Sequence, residues 1–153
     1  MSKVTCSISA TLDVVGDRWT LLILRNLFRG VRRFERIQKD LGIARNLLAD
    51  RLQRLNANEI IIRVPYQDHP VRYDYRLTPK GLDLSSALIA LMQWGDQWYA
   101  NGDPPTLLTH AKCKTPVKNV VICSDCGLHI QPKEIRSQSG MEESINSPKV
   151  GLV

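Results

Sequence analysis

The sequence predicts a mainly α-helical fold with a small β-hairpin wing, the winged helix-turn-helix, followed by a short C-terminal extension that contains cysteines. Three observations predict this fold. Two amphipathic helical patterns flank a turn at Gly42, two strand-like runs follow around a tip rich in proline, and a further apolar helix comes after them. A helix, a turn, a second helix and a hairpin in this order are typical of winged DNA-binding domains.

Two short helices are predicted before this unit. The first covers residues 5–15 and ends at Gly16, because apolar residues recur there every three or four positions. Asp17 is expected to cap a second helix over residues 18–28. The apolar stripe of each helix indicates that both serve as core scaffold.

The helix-turn-helix pair is predicted over residues 34–41 and 44–58, with Gly42 as the turn residue. The buried stripe of the second helix repeats at i, i+4 and i+7 and comprises Leu48, Leu52 and Leu55. The opposite face has no core to join, and it comprises Arg45, Asn46, Ala49, Asp50, Gln53 and Arg54. This second helix therefore has one face for the core and one for a partner.

A hairpin with a loose tip is expected next, with strand-like residues 60–64 and 71–77 around turn signals at 66–70. Thr78 is expected to cap one long helix over residues 79–100. The apolar face of that helix is wider than one small core requires. Its surplus surface predicts cover by another chain.

A chain of 153 residues can bury one ordinary core and carry a small appended element. We therefore expect a winged-helix DNA-binding and dimerisation domain over residues 1–100 and a linker over 101–108. A zinc-ribbon-like or redox-active cysteine element is expected over 109–136, and a flexible tail over 137–153.

The basic charge is concentrated in the first hundred residues. Lys and Arg number 21 against 15 Asp and Glu in the whole chain, which gives a formal net charge of +6. Residues 1–100 carry 15 of these basic and 10 of these acidic side chains, whereas residues 101–153 carry 6 and 5. A polyanion such as double-stranded DNA is the natural partner of such a surface.

The sequence shows no apolar run near the roughly 20 residues that cross a bilayer, and its N-terminus lacks the apolar core of a signal peptide. We expect a cytoplasmic location and no membrane partner. In that compartment the four cysteines are expected to be reduced, metal-bound or redox-active, because structural disulfides are rare there.

The polar face of the second helix of the pair supplies the candidate base contacts. Arginine can donate two hydrogen bonds to guanine, and asparagine can pair with the adenine edge. Arg45 and Asn46 lie at the N-terminal end of this helix, where recognition helices usually touch bases. The candidate base contacts are Arg45, Asn46, Ala49 and Gln53. The candidate phosphate or wing contacts are Arg29, Arg32, Arg33, Arg36, Lys39, Arg54, His69 and Arg72.

A different class of function is also consistent with these residues. The basic face can be a solvated surface on a metal- or redox-sensitive protein-interaction module that does not bind DNA specifically. An enzyme is not expected, because Asp17, Asp74 and Asp83 form no convincing set with a His or Ser, and a Gly-rich phosphate loop is absent from the sequence.

A series of motifs resembles one known family. In chain order they are Cys6, GDRW at 16–19, LLILRNL at 21–27, RRFERI at 32–37, LGI at 41–43, LxxRLxxL at 48–55, HPVRYDYRLTPKG at 69–81 and WG at 94–95. Over residues 6–99 the chain resembles the HxlR-type winged-helix transcriptional regulators. The resemblance implies a regulator, more often a repressor than an activator, that acts as a homodimer through its terminal helices on a pseudo-palindromic operator.

One residue departs from the family pattern. Members commonly place Ser after the Ile that opens the recognition helix, whereas this chain has Ala44. A side-chain N-cap worth about 1 kcal/mol is therefore expected to be absent.

Cys6 is a candidate redox sensor by the same resemblance, since some relatives use the equivalent cysteine to sense oxidants or electrophiles. Such a role requires an exposed thiol with a depressed pKa, because the thiolate is the reactive form. The alternative is a small, half-buried residue at a dimer interface. A small-molecule effector at the dimer cleft is the other expected mode of control.

The extension contains two ligand pairs with spacing suited to tetrahedral zinc. The pairs are His110-x2-Cys113 and Cys123-x2-Cys126, separated by nine residues. Gly127 allows a tight turn after the second pair, and His129 is an alternative ligand. Two other interpretations stay open: a dithiol at Cys123 and Cys126 that opens and closes with redox state, or reduced cysteines packed in a small β-element.

Overall fold

The computed structural model describes residues 6–137. The elements in chain order are α1 (Ser7–Val15), α2 (Arg18–Phe28), α3 (Phe34–Leu41), α4 (Arg45–Ala57), β1 (Ile61–Asp68), β2 (Val71–Leu77), α5 (Pro79–Leu82), α6 (Ser85–Tyr99) and a short 3₁₀ helix, Pro132–Glu134. This order confirms the predicted fold class, a winged helix-turn-helix followed by a cysteine-containing extension. In residues 6–137, none of the helices has the length and apolar character needed to cross a membrane.

The chain forms two compact units, one up to residue 116 and one from residue 117 onward. The first unit contains every helix from α1 to α6 and the hairpin. The predicted domain boundaries at 100, 108 and 136 stay a prediction. The predicted flexible tail, residues 137–153, lies outside the described residues except for residue 137.

Local sequence signals set the ends of the helices. Asp17 Oδ1 accepts hydrogen bonds from the backbone N–H groups of Trp19 and Thr20, each at 3.1 Å, so the predicted cap of α2 is confirmed. Gly42 ends α3 in the left-handed conformation, with φ of 63°. Ala44 precedes α4 without a side-chain cap, as the sequence predicted.

The core of the first unit is built around the leucine stripe of α4. Leu48, Leu52 and Leu55 are at most 2% exposed. Full burial of each such side chain contributes about 1.5–3 kcal/mol. The other buried apolar residues of this cluster are Val15, Ile23, Leu24, Leu27, Ile37, Ile43, Ile60 and Ile61.

The wing is a two-stranded antiparallel hairpin, and its tip differs from the prediction. Strand pairing continues from Ile61 opposite Leu77 to Asp68 opposite Val71, so the predicted loose tip over 66–70 is wrong. The reason is an irregularity between Pro65 and Gln67. Proline has no N–H for the ladder, and a bulge accommodates it and lets pairing resume beyond it.

The predicted single helix over residues 79–100 is also wrong, because it is interrupted between α5 and α6. Gly81 packs so closely on the residue before β1 that a Cβ there would lie 2.2 Å from the carbonyl oxygen of Ile60. The N–H of Leu84 then bonds to the carbonyl of Gly81, a tighter turn than the α-helix. The close fit fixes α5 against the hairpin, and α6 starts anew. Thr78 Oγ1 accepts from the Gly81 N–H at 3.1 Å, which confirms the predicted cap.

An ion pair joins the start of α2 to α4. Arg51 Nε lies 3.1 Å from Asp17 Oδ1, and their side chains are 20% and 33% exposed. Burial acts to raise the pKa of Asp17, but hydrogen bonds from Thr20 and the Arg51 guanidinium outweigh it and hold that pKa below its ordinary value of 3.8. The same carboxylate thus caps one helix and anchors another.

We expect Asp17→Ala to lower the free energy of unfolding by about 1–2 kcal/mol, because both the cap and the ion pair are lost. The pKa of Asp17 is lower in the folded than in the unfolded chain, so its stabilising effect is present above pH 3.8 and is lost as pH falls through the folded pKa. Urea unfolding at several pH values measures this. The control is Asp13→Ala on α1, and an equal loss in both variants, or one that persists below that pKa, contradicts the prediction.

Candidate nucleic-acid interface and cysteine turns

The four candidate base contacts lie together on the exposed side of α4. Arg45 and Asn46 form its first turn, and Ala49 and Gln53 follow one and two turns later on the same side. All four residues are exposed. We call this set, Arg45, Asn46, Ala49 and Gln53, the recognition face. Asn46, Ala49 and Gln53 point away from the leucine stripe because a helix advances about 3.6 residues per turn, and Arg45, three residues before Leu48, is exposed at the N-terminal end of the helix.

Arg45 is held by an aromatic ring that sequence reasoning did not single out. Its guanidinium carbon lies 4.9 Å from the centroid of the Phe34 ring, at the start of α3. A cation over an aromatic face is stabilised by about 0.5–1 kcal/mol at an exposed site. Phe34 is therefore a positioning residue for the first side chain of the recognition face.

A cleft of about 400 Å³ lies beside the recognition face, between α4 and the wing. Its lining residues are Ala49, Leu52, Gln53, Asn56, Arg63 and Tyr75. Burial raises the pKa of the Tyr75 phenol, so this hydroxyl is a neutral donor at physiological pH. The cleft places polar groups from the helix and from both strands on one side of the unit.

The candidate phosphate contacts are all exposed, and they fall into two groups. Two of them have partners within the protein: Arg33 Nε lies 3.6 Å from Asp74 Oδ1, and Arg54 Nη2 donates to the carbonyl of Asp13 at 3.2 Å. Within residues 6–137, the others form no ion pair, and they are Arg29, Arg32, Arg36, Lys39, His69 and Arg72.

Arg33 has a structural role that the sequence did not reveal. Besides Asp74, its guanidinium stacks 4.4 Å from the ring centroid of Tyr66. The segment before α3 also pairs with the wing. Arg33 forms an isolated β-bridge with Asp74, and the N–H of Tyr75 donates to the carbonyl of Arg32 at 2.8 Å. Arg33 thus fixes the wing to the helix-turn-helix, and no local sequence signal marks such a distant contact.

Cys6 lies at the N-cap of α1 with an exposed thiol. The alternative interpretation, a residue half-buried at a dimer interface, stays a prediction. Ile8 and Leu12 on the same helix are exposed as well. An oxidant can reach this sulfur in a single chain.

The first cysteine turn spans residues 110–115. His110 Nδ1 lies 3.2 Å from Cys113 Sγ, so both ligand atoms point to one place. Hydrogen bonds from Thr115 and then from His110 lower the pKa of the Cys113 thiol to about 7. A substantial fraction of this sulfur is thiolate at neutral pH, which is the form that binds metals.

The second cysteine turn spans residues 123–128. The backbone N–H groups of Cys126 and Asp125 hydrogen-bond to the sulfur of Cys123 and lower its pKa. Cys126 is exposed and Cys123 is partly exposed, so neither is packed in a core. His129, the alternative ligand, forms an isolated β-bridge with Ile122 at the base of the turn. In residues 6–137, no group of three or more His, Cys, Asp or Glu side chains is close enough to hold a metal ion.

Known proteins share this architecture. The HxlR-like helix-turn-helix family model matches residues 14–103. An HTH-type transcriptional regulator of Mycobacterium bovis, itself uncharacterised, is 42% identical over 135 residues, which cover 88% of this chain and 85% of that protein.

Solved structures of related proteins have a similar fold. PA1607, whose crystal structure was described as that of a candidate transcription factor, superimposes with a TM-score of 0.80 at 34% identity, covering 90% of this chain and 96% of that one. The redox regulator HypR, known in reduced and oxidised forms, has a TM-score of 0.57 at 27% identity in its reduced form. That match covers 64% of this chain and 95% of HypR, so about a third of this chain has no counterpart there.

The family model covers more than half of the chain, and the relatives named here are regulators of transcription or candidates for that role. The resemblance seen in the motifs is thereby confirmed. The chain belongs to the HxlR-like helix-turn-helix family, and it is a transcriptional regulator and not an enzyme.

Proposed function

We propose that this chain is a sequence-specific DNA-binding repressor that acts as a homodimer on a pseudo-palindromic operator in the cytoplasm. The observation that carries the proposal is the recognition face, which is exposed while the leucine stripe of the same helix is buried in the core. A major groove about 12 Å wide admits one such helix. The first-turn residues Arg45 and Asn46 then meet base edges.

The cations around α4 suit the phosphates that flank such a groove. Arg36 and Lys39 lie on the outer side of α3, Arg29 and Arg32 precede that helix, and Arg72 lies on the wing. Contacts of this kind orient a protein on DNA without reading sequence. Each neutralised phosphate releases counterions, which makes binding weaken as salt rises.

The apolar surface of α6 supports the homodimer. Leu91, Trp94 and Trp98 share one side of the helix at spacings of three and four and are 54–63% exposed. Ile8 and Leu12 add a second exposed apolar face on α1. Covering such surface by a second copy stabilises the pair by about 25 cal/mol per Å² of apolar area removed from water. Two recognition faces are then held at one separation, as a palindromic site requires.

We infer control by thiol chemistry at Cys6, which the exposure of its thiol and its place at the start of α1 support. The thiolate attacks one oxygen of hydrogen peroxide, the O–O bond breaks, and the sulfur becomes a sulfenic acid while the other oxygen leaves as water after taking up a proton. Because Cys6 directly precedes α1, which carries Ile8 and Leu12, the modification favours one dimer geometry over another. The DNA affinity changes with that geometry.

Selection of bound duplexes from a random pool tests the proposed function directly. We expect recovery of a pseudo-palindrome, with an affinity whose logarithm falls linearly with the logarithm of salt concentration by about 0.9 per phosphate contact. Fluorescence anisotropy with the selected duplex measures this dependence. If no duplex is bound even at low salt, the DNA-binding proposal fails.

We expect Arg45→Ala to relax the preference at one base pair per half-site by about 1–3 kcal/mol, because its two hydrogen bonds to a base are lost. Arg36→Ala should instead weaken all sequences alike and reduce the salt slope by about 1. Arg136→Ala, which removes the same charge outside the winged helix, is the matched control. If Arg45→Ala weakens binding to all sequences alike and Arg36→Ala relaxes the base preference, their contacts are wrongly assigned.

We expect Trp98→Glu to convert the dimer into a monomer, because a charge cannot be buried unpaired in an apolar interface. Sedimentation velocity measures the mass, and DNA affinity should fall with it. Leu107→Glu adds the same charge at an equally exposed apolar residue outside the helices and should leave the mass unchanged. A Trp98→Glu protein that stays dimeric contradicts the proposed interface.

We expect Cys6→Ser to abolish the loss of DNA binding caused by hydrogen peroxide, while Cys113→Ser keeps it. Serine has no oxidisable sulfur at the same position, and basal DNA affinity should stay unchanged. Gel-shift titration before and after oxidant measures both effects. If the peroxide response is the same in the Cys6→Ser protein, this residue is not the sensor.

A further inference from the structure

The cleft between α4 and the wing is formed by one side of a helix and one face of a sheet. Ala49, Gln53 and Asn56 follow one another on α4 at spacings of four and three, which places them on one side of that helix. Arg63 pairs with Tyr75 across the hairpin, so these two side chains lie on the same face of the sheet. The cleft lies wholly within the first compact unit.

Four polar side chains converge on this cleft, and all of them can donate hydrogen bonds. They are the guanidinium of Arg63, the hydroxyl of Tyr75 and the amides of Gln53 and Asn56. Within residues 6–137, neither amide nor the Tyr75 hydroxyl forms a hydrogen bond to another protein group. Their donors are therefore free to bind a ligand with acceptor oxygens.

The charge of Arg63 acts inside the cleft. The guanidinium carbon lies 5.2 Å from the centroid of the Tyr73 ring, a contact that orients the cation, and within the described residues Arg63 forms no ion pair. Burial has the largest effect on the Tyr75 hydroxyl and raises its pKa. Arg63 lowers that pKa and acts more strongly than the Glu35 carboxylate, which raises it. An anionic group beside this hydroxyl is thus favoured by the nearer charge.

The remaining lining of the cleft is apolar. It comprises the methyl group of Ala49, the side chain of Leu52 and the ring of Tyr75. The volume of about 400 Å³ lies in the range of about 300–1,000 Å³ that is usual for small-molecule sites, which combine apolar walls with a few polar groups. The planar fork of an arginine matches a carboxylate, to which it can donate two parallel hydrogen bonds.

We propose that this cleft binds a small aromatic carboxylic acid. Its carboxylate accepts hydrogen bonds from Arg63 and Tyr75, and its ring packs against Ala49 and Leu52. The amide of Asn56 serves any further polar substituent on the ring. The site lies within a single chain and differs in place from an effector site at a dimer interface.

Occupation of the cleft opposes DNA binding, an inference that rests on the proposed function. Ala49 and Gln53 line the cleft and also belong to the recognition face, so a bound acid covers part of the surface that meets base edges. Its negative charge also repels phosphates. The two ligands therefore exclude each other, and each weakens the binding of the other by the same factor.

Binding of benzoate to the full-length chain without DNA tests the site itself. Isothermal titration calorimetry at constant ionic strength should show saturable binding of about one benzoate per chain, as one cleft per chain requires. Benzamide has the same ring without the charge, and acetate has the charge without the ring, so both should bind more weakly. Absence of saturable benzoate binding overturns the proposal. Acetate that binds as well as benzoate overturns the aromatic class of ligand.

Variants of the wing locate the bound benzoate. Arg63→Met and Tyr75→Phe should each weaken its binding about tenfold, because a hydrogen bond to a charged group is lost. Arg76→Met removes an exposed arginine from the opposite face of the same hairpin and should leave benzoate binding unchanged. Circular dichroism should show the same helix content in all three proteins. Benzoate binding that is unchanged in both cleft variants places the ligand elsewhere and overturns the proposal.

Fluorescence anisotropy with the selected duplex tests the competition. At a benzoate concentration about ten times its Kd, the apparent Kd for the duplex should rise about tenfold in the wild-type chain. The same benzoate concentration should have a much smaller effect on Arg63→Met. Benzoate that binds in the cleft without displacing the duplex overturns the competition. A chain that binds benzoate there but no duplex at low salt instead refutes the proposed function and leaves the site standing.

Discussion

Burial of the leucine stripe of α4 is the constraint on which the rest of the first unit depends. Leu48, Leu52 and Leu55 are closed off from water by α2, α3 and the start of the hairpin. Removing one such side chain commonly costs about 2–5 kcal/mol, far more than any single surface contact contributes. Because this stripe is buried, the recognition face of the same helix is left exposed to solvent or to a partner. The exposure of the recognition face is thus a consequence of the core.

A second constraint is that some arginines form ion pairs that join the elements of the unit, whereas others form none within the described residues. The carboxylates of Asp17, Asp40 and Asp74 lie within 3.6 Å of Arg51, Arg25 and Arg33, and these ion pairs join α2 to α4, α2 to α3, and the wing to the helix-turn-helix. The remaining cations of the interface gain no such partner within residues 6–137. Their charge is therefore available to a polyanion, while the paired arginines hold the scaffold in register.

The sequence predicted features that depend on neighbouring residues and missed those that depend on distant ones. The bounds of α2 and α3, the caps at Asp17 and Thr78 and the uncapped Ala44 follow from local chemistry. The break after α5 could not be foreseen, because it depends on contact between Gly81 and a carbonyl 21 positions earlier. Likewise, no local signal predicts the hydrogen bond that Arg54 donates, because its partner lies 41 positions away on α1. The recognition face was foreseeable because helical periodicity alone defines it.

The backbone geometry of the cysteine turns is a feature that residue spacing could not predict. Spacing identified four residues able to bind zinc, and it left a dithiol or a packed β-element equally open. The structure adds the backbone geometry of each turn, which spacing does not contain. Each turn closes with the same pattern of hydrogen bonds, the first around a His and a Cys and the second around two cysteines. Lys114 adopts the conformation of Gly127 at a cost in stability. Sequence spacing could not predict this shared conformation, because Lys114 carries a side chain where Gly127 has none.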